Sequence, residues 1–351
     1  MTSISSLSLS APMSSSILQA QTALAQVQQE ISSGAPADVG LTLGAETGST
    51  LSMQSSIDML NGFTQTNTHA TTRLSATSNA LTSMLTTAQS VSSALTGAST
   101  AGGSTSSLAA TATSALQSLI AGLNTSAGGQ SVFGGINTAA TPVANYFSAT
   151  TSAAKTAVDN AFQSAFGTSQ TSSGASSISG SAMQSFLDNQ FAGLFTSGSW
   201  QSDWSSASSQ TISSTVAPSQ TMTTSVSANQ GAFQQIAQAY TMLTEFAGGN
   251  LGSDATAAVV STASTLLNSG IATLTNVQAS VGTMQTTITT ANSQNSAQSS
   301  ALQSTVGNLE SVNTYALSSQ LTNLQNQLEA SYELTSRLQQ LSLVNYLTTS
   351  G

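Results

Sequence analysis

Apolar residues near both ends of the chain recur at alternating intervals of three and four. Ile17, Ala20, Leu24, Val27 and Ile31 do so near the start, and Leu317, Leu321, Leu324 and Leu328 near the finish. This spacing lines one side of a helix with a seam that packs lengthwise on another helix. Residues 13–33 therefore predict an amphipathic helix, stopped by Gly34 and Pro36. A second helical stretch runs from about Ala45 to Leu95, with Leu51, Met53, Ile57, Leu60, Leu74, Leu81 and Leu85 among its apolar positions, and the Gly102-Gly103 pair ends it. A third, 106–123, carries Leu108, Ala112, Leu116, Leu119 and Leu123. The next segment changes character. In Ser131-Val132-Phe133-Gly134-Gly135-Ile136-Asn137-Thr138, β-formers flank a glycine pair and predict a tight hairpin.

Pro142 opens a middle region, 139 to about 215, that holds most of the aromatic residues: Tyr146, Phe147, Phe162, Phe166, Phe186, Phe191, Phe195, Trp200 and Trp204. Two short helices are expected there, at 151–166 and 181–195, and the rings can supply a small core of their own. Ile212 to Val226, broken at Pro218, alternates enough to predict a strand pair. Helical periodicity resumes at 230–246 and 255–267, then runs from Ile271 to the C-terminus with few breakers.

The order is helical, mixed, helical. The fold class is mainly α, with long terminal helices forming an antiparallel coiled coil or helical bundle and a small mixed α+β central insert. Three domains are expected. Residues 1–40 with 312–351 form a terminal helical assembly domain, 41–138 with 228–311 a helical rod domain with a β-hairpin near 131–138, and 139–227 the insert.

Composition changes the picture chiefly through charge. Only 4% of the 351 residues are charged, against about 25% in an ordinary soluble protein. No run approaches the roughly 20 apolar residues of a spanning helix, so membrane insertion is not expected. Ser, Thr, Asn and Gln supply the polar surface, and a neutral surface lets copies approach closely. They could also accept glycans, although no pattern selects particular sites. The basic residues Arg73, Lys155 and Arg337 are scattered and the net charge is −9, which excludes nucleic-acid binding through displaced counterions. Cysteine is absent, removing disulfides and thiolate chemistry together. The opening residues lack the basic start and apolar core of a cleaved signal, so the ordinary secretory route is not expected.

Catalytic chemistry finds little footing. The single histidine, His69, lies in a polar helical stretch where a surface or packing role is expected. The 12 acids are spread singly, and the closest pair, Glu329 and Glu333, reads as a solvated helix face. Gly34, Gly40, Gly44 and Gly48 lack the spacing and lysine of a phosphate loop. No catalytic, metal or cofactor-binding residue is assigned, and no enzyme is expected.

The C-terminal LEASYELTSRLQQLSLVNYL resembles the end of the bacterial flagellin and flagellar hook-associated protein superfamily. The N-terminal ILQAQTALAQVQQEISSG is similar to its opening helix, and SVFGGINT to its glycine hairpin motif. Most flagellins follow Ser-Ser-Gly with Arg, Asn and then Asp-Asp-Ala-Ala-Gly-Leu, and many end in Leu-Leu-Arg. This chain instead has Gly34-Ala35-Pro36-Ala37-Asp38-Val39-Gly40-Leu41-Thr42-Leu43-Gly44 and ends in Asn345-Tyr346-Leu347 with a short tail. Both departures resemble the hook-filament junction branch (hook-associated protein 3) of alphaproteobacteria, as do PVANYF and the Trp200–Trp204 segment.

The resemblance implies a non-enzymatic structural protein of the extracellular bacterial flagellum, exported unfolded by the flagellar type III apparatus with a chaperone. It also implies termini that are disordered in the monomer and fold on assembly. The partners implied are further copies of itself in a helical ring or polymer, a neighbouring hook-associated protein, and flagellin. Junction protein is the first reading. Filament flagellin is the second, and an extracellular adhesin or glycan-binding module using the aromatic insert is the third. The expected assembly interface comprises Ile17, Leu24, Val27, Ile31, Leu321, Leu324, Leu328, Leu338, Leu341, Leu343, Tyr346 and Leu347. Few groups titrate and few charge pairs can be screened. The polymer is therefore expected to survive mild acidification and raised salt, and depolymerisation under either, read by light scattering, would count against a neutral interface.

Overall fold

A computed structural model describes residues 6–101, 105–148 and 152–349, with side chains except at 6–10, 99–101 and 341–349. The chain is 76% helical, as the mainly α reading requires. In order, the elements are α1 Ser6–Ser33, α2 Val39–Leu43, α3 Thr47–Ala101, α4 Thr105–Leu123, β1 Ser126–Ala127, β2 Gln130–Ser131, α5 Ala153–Phe166, α6 Gly180–Phe186, α7 Ser197–Ser199, β3 Ser213–Ala217, β4 Gln220–Thr223, α8 Gly231–Met242, α9 Ser253–Leu309 and α10 Thr314–Thr349. The chain forms two compact units, Met1–Leu60 with Ala297–Gly351, and Asn61–Ser296.

In the unit Asn61–Ser296, α3 and α9 run antiparallel. Hydrogen bonds set the register: Asn67 to Asn292 at 2.7 Å, Gln285 to Ser75 at 3.5 Å, Gln278 to Thr82 at 3.0 Å and Ser92 to Asn268 at 3.0 Å. Ala70, Leu74, Thr77, Leu81, Met84, Ala88, Val91 and Leu95 of α3 are all buried. They alternate by four and three residues, the period that keeps one stripe facing a partner helix along its length. Leu267, Leu274, Val277, Val281 and Ile288 continue the core on α9. Helix α4 adds Leu108, Ala112, Leu116, Leu119 and Leu123 to the same core.

Helix α9 runs unbroken through Gly270, which lies in the gap between the predicted helical stretches 255–267 and Ile271 onward. A Cβ there would lie 2.7 Å from Ile236 Cγ1, so this glycine lets α8 approach α9 closely. One window within Ser253–Gln340, with mean hydropathy 1.3, is long and apolar enough by length and composition to cross a membrane. This corrects the expectation that no such stretch occurs. Ala255, Val259, Ala263 and Leu267 of α9 are nevertheless buried in the core of this unit.

The first hairpin lies earlier than the sequence placed it. Ser126 pairs with Ser131 and Ala127 with Gln130, across Gly128 and Gly129, whose φ angles of 58° and 77° suit a two-residue turn. Residues 131–138 instead close as a loop, with the Ser131 N–H donating to Thr138 O at 2.8 Å. Its glycines are required by crowding. At Gly135, φ 60°, a Cβ would lie 2.3 Å from Ser208 O and 2.5 Å from Gln210 O. The β3–β4 pair forms where alternation predicts it, turning at Pro218-Ser219. Asn67 of α3 and Asn295 of α9 both donate to Val216 O, at 2.8 and 2.9 Å, which ties this hairpin to both long helices.

The aromatic rings do not form a core of their own. Phe162, Phe186 and Phe191 all pack on Phe246, with centroids 5.3, 5.8 and 5.4 Å away, and Phe246 follows α8, outside the expected insert. Tyr146 stacks on Trp204 and Trp204 on Trp200, each pair 12° from parallel. These rings join the α3, α4 and α9 residues in one continuous cluster. A polar pin fastens the same place. Glu245 accepts from the Tyr146 hydroxyl at 2.9 Å, from Lys155 Nζ at 3.2 Å and from Gln170 at 3.2 Å, while Lys155 also pairs with Asp159.

Burial, with the nearby Glu245 charge, raises the Tyr146 phenol above its ordinary 10.0. Burial alone would lower Lys155, but its bond to Asp159 and the Glu245 charge outweigh that and raise it above 10.5. Groups raised in the folded state add stability that is complete below their unfolded values and is lost as pH climbs past them. Stability should therefore fall above roughly pH 10. Tyr146→Phe removes a hydrogen bond to a charged acceptor, a loss of about 1.5–3 kcal/mol near neutrality, and should flatten the alkaline fall. Circular-dichroism melts at pH 8 and 10.5 test this, and equal alkaline losses in both proteins would refute it.

Candidate assembly interface

In the unit formed by the two ends, α1 packs against α10. Gly34, φ 72°, terminates α1: its N–H donates to Glu30 O at 2.9 Å, and its carbonyl accepts from Val312 N at 3.2 Å. Asn313 then caps α10, its side-chain oxygen accepting from the backbone N–H groups of Tyr315 and Ala316 at 3.1 Å. Gln21 donates to the Tyr332 hydroxyl at 2.7 Å further along. The end of α1 thus meets the start of α10, and the pair is antiparallel.

The predicted seam residues fall along this contact. Val27 and Leu328 are buried, while Ile17, Leu24, Ile31, Leu321, Leu324 and Leu338 are half-buried. Leu341, Leu343, Tyr346 and Leu347 continue α10 as helical backbone, but their side chains lie outside the described residues. Half-burial has a simple cause: each helix has one partner in this pair, so a seam residue is covered from one side. Past Leu328 the α10 positions that turn inward include Ser331 and Thr335, both half-buried, whereas Tyr332 and Leu334 are 51% and 54% exposed. Polar residues in a seam weaken it. An antiparallel pair of this kind has apolar surface to spare.

That surplus is unevenly distributed. Of the large hydrophobic side chains exposed among the described residues, Leu18, Leu41, Leu51, Met59, Tyr315, Tyr332 and Leu334 belong to this unit. Only Ile136 belongs to the other. The sequence pattern placed Leu51 among the apolar positions of the second helical stretch and passed over Leu18, Leu41, Met59 and Tyr315. The available signal was their displacement from the three-four spacing, as with Leu18 beside Ile17. The residues considered for chemistry are on the surface. His69 is exposed on α3, and Glu329 and Glu333 are exposed on α10, where Glu333 accepts from Arg337 at 2.7 Å.

Residues 4–138 match the model of the bacterial flagellin N-terminal helical region, and 264–347 that of the bacterial flagellin C-terminal helical region. Together these matches span well over half of the chain. The chain belongs to the flagellin superfamily. It is a structural component of the bacterial flagellum.

Other comparisons add little to this flagellin-family assignment. A solved structure from Vibrio parahaemolyticus, provisionally assigned as a flagellar hook-associated protein, is 15% identical and aligns over 76% of this chain and 94% of its own. Its TM-score of 0.38 is too low to carry an argument. No curated protein matches. The two matched regions contain α1, α3 and α4 whole and most of α9 and α10, and they leave out the aromatic segment and α8.

Replacing both Leu324 and Leu338 of this flagellin-family chain with Asp places charges where no cation faces them, an expensive change in a seam. The double variant should not polymerise, yet should keep the near-ultraviolet circular dichroism of buried Trp200 and Trp204. Polymers of wild-type length in electron micrographs would remove the basis for this interface.

Proposed function

We propose that the chain forms the hook-filament junction, assembling through its terminal helices as a short helical ring between the hook and the filament. The observation that carries self-assembly is the half-covered α1–α10 seam with exposed Leu18, Tyr332 and Leu334 beside it. On this reading Val27 and Leu328 are covered within the pair, and the other seam positions named above, including the four beyond Gln340, are covered further by neighbouring copies. Partner helices would then supply the cover that a single pair lacks. Isolated helix pairs with few charges gain little from local ion pairs, which supports termini that order on assembly.

The junction rather than the filament is favoured by the ends themselves. The Gly34–Gly44 segment and the Asn345-Tyr346-Leu347 finish depart from filament flagellins and resemble the alphaproteobacterial junction branch. The neighbours on this reading are another hook-associated protein on one side and flagellin on the other. Delivery is by the flagellar type III apparatus with an export chaperone, to an extracellular position. The second reading is a filament subunit. The adhesin reading loses its support, because Trp200, Trp204, Phe162, Phe186 and Phe191 are buried and offer no ring face to a sugar. Immunogold labelling of intact flagella should mark one band at the hook end, and label along the whole filament would assign the chain to flagellin instead.

A further inference from the structure

The seam between α3 and α9 repeats every seven residues. Leu74, Leu81, Ala88 and Leu95 keep that interval on α3, Leu267, Leu274, Val281 and Ile288 keep it on α9, and all of them are buried. The helices run antiparallel, with Ser75 bonded to Gln285, Thr82 to Gln278 and Ser92 to Asn268. This register brings Leu74 to the level of Ile288, and Leu95 to that of Leu267, within one helical turn. The next step of seven falls on Asn67 in α3 and on Asn295 in α9. These two are also level with each other and buried, at 0% and 1% exposure. A polar pair thus takes the position that aliphatic residues hold in the other layers.

A third element closes the layer. Val216 is the residue skipped between the Thr215–Thr221 and Ala217–Gln220 pairs of the β3–β4 hairpin. Its carbonyl accepts from Asn67 Nδ2 at 2.8 Å and from Asn295 Nδ2 at 2.9 Å. Asn67 Nδ2 also donates to Asn292 Oδ1 at 2.7 Å. The Oδ1 atoms of Asn67 and Asn295 are buried with no hydrogen-bond partner among the described residues. A polar layer satisfied only in part is less stabilising than aliphatic side chains of similar volume. Thr77 differs. It is buried on the same stripe, but its hydroxyl donates to Arg73 O of its own helix at 2.9 Å and depends on no partner helix.

What the layer supplies is discrimination. If α9 slides along α3 by seven residues, about 10 Å, Leu74 meets Val281, Leu81 meets Leu274 and Ala88 meets Leu267. Aliphatic residues still face aliphatic residues, so these layers do not choose between the two pairings. Asn67 would then face Ile288, a buried amide parted from both the Val216 carbonyl and Asn292. We propose that Asn67 and Asn295 are the register lock of the α3–α9 pair, excluding the pairings shifted by a heptad while weakening the seam itself. The lock works within one chain, and so applies to a junction protein and a filament subunit alike.

Spin labels can read the register directly. The chain has no cysteine, so Thr72→Cys and Thr265→Cys, both at exposed positions, give two nitroxide sites in the dilute full-length chain. Thr72 is level with about residue 288, roughly 23 residues from Thr265, which sets the labels about 35 Å apart along the helices. Double electron-electron resonance should give one distance in the otherwise wild-type chain. Adding Asn67→Leu and Asn295→Leu should produce a second population displaced by about 10 Å, with the far-ultraviolet circular dichroism still helical. A single unchanged distance in that variant would mean that the register is set elsewhere, and the lock would be wrong. Loss of its helical signal would overturn the lock too, because the layer would then be holding the seam together rather than choosing its pairing.

Discussion

Apolar residues repeating every three and four positions on helices drawn from opposite ends of the chain are the constraint on which the rest depends. Because the partner helices are far apart in sequence, each seam brings together segments that local propensity could not join. In Asn61–Ser296 the seam is continuous and buried from Ala70 to Leu95, so it can carry α4, α8 and the strands. In the terminal pair the same spacing meets a single partner, and most of its residues are only half covered. One pattern thus yields a finished core in one unit and an unfinished one in the other.

The near absence of charge gives polar residues a different role from the usual one. Ser and Thr hydroxyls along the long helices largely donate to their own backbone four residues earlier, as Thr68, Thr72, Thr82, Thr86 and Thr286 do. The threonine methyl groups are therefore available to the surface, and the helices present a neutral exterior. Buried polar contacts are few and specific. Asn67 and Asn295 on Val216, and Glu245 with Tyr146, Lys155 and Gln170, each join segments far apart in sequence. Such contacts choose one arrangement among the many that a Ser/Thr-rich core boundary would permit.

The aromatic segment follows from the same economy of partners. Its short helices and turns cannot bury their rings against one another alone, so they close on Phe246 and become part of the neighbouring core. This explains why the rings are unavailable as a binding face, and why the unit boundaries do not follow the composition shift at Pro142.

Periodicity in the sequence was enough to establish the mainly α class, the approximate positions of α1, α3 and α4 and the β3–β4 pair, because the apolar repeat encodes which face of an element is apolar. It left a gap at 268–270 where α9 is continuous and missed the break between Leu309 and Thr314. The motifs at both ends established the superfamily. Tertiary structure decided what periodicity cannot carry. The gap at 268–270 reads as a break between two helices, but α9 is continuous there and Gly270 is a close-approach site for Ile236. Gly134-Gly135 reads as a hairpin turn, but Gly128-Gly129 adopts the required φ angles, while Gly135 serves a crowded loop against Ser208 and Gln210. Phe246 lies outside the aromatic segment in sequence and at its centre in space. The second carboxylate on Lys155 could not be read from spacing either, since Lys155 and Glu245 are 90 residues apart. Helical faces are local and legible; long-range partners exist only once the chain has closed on itself.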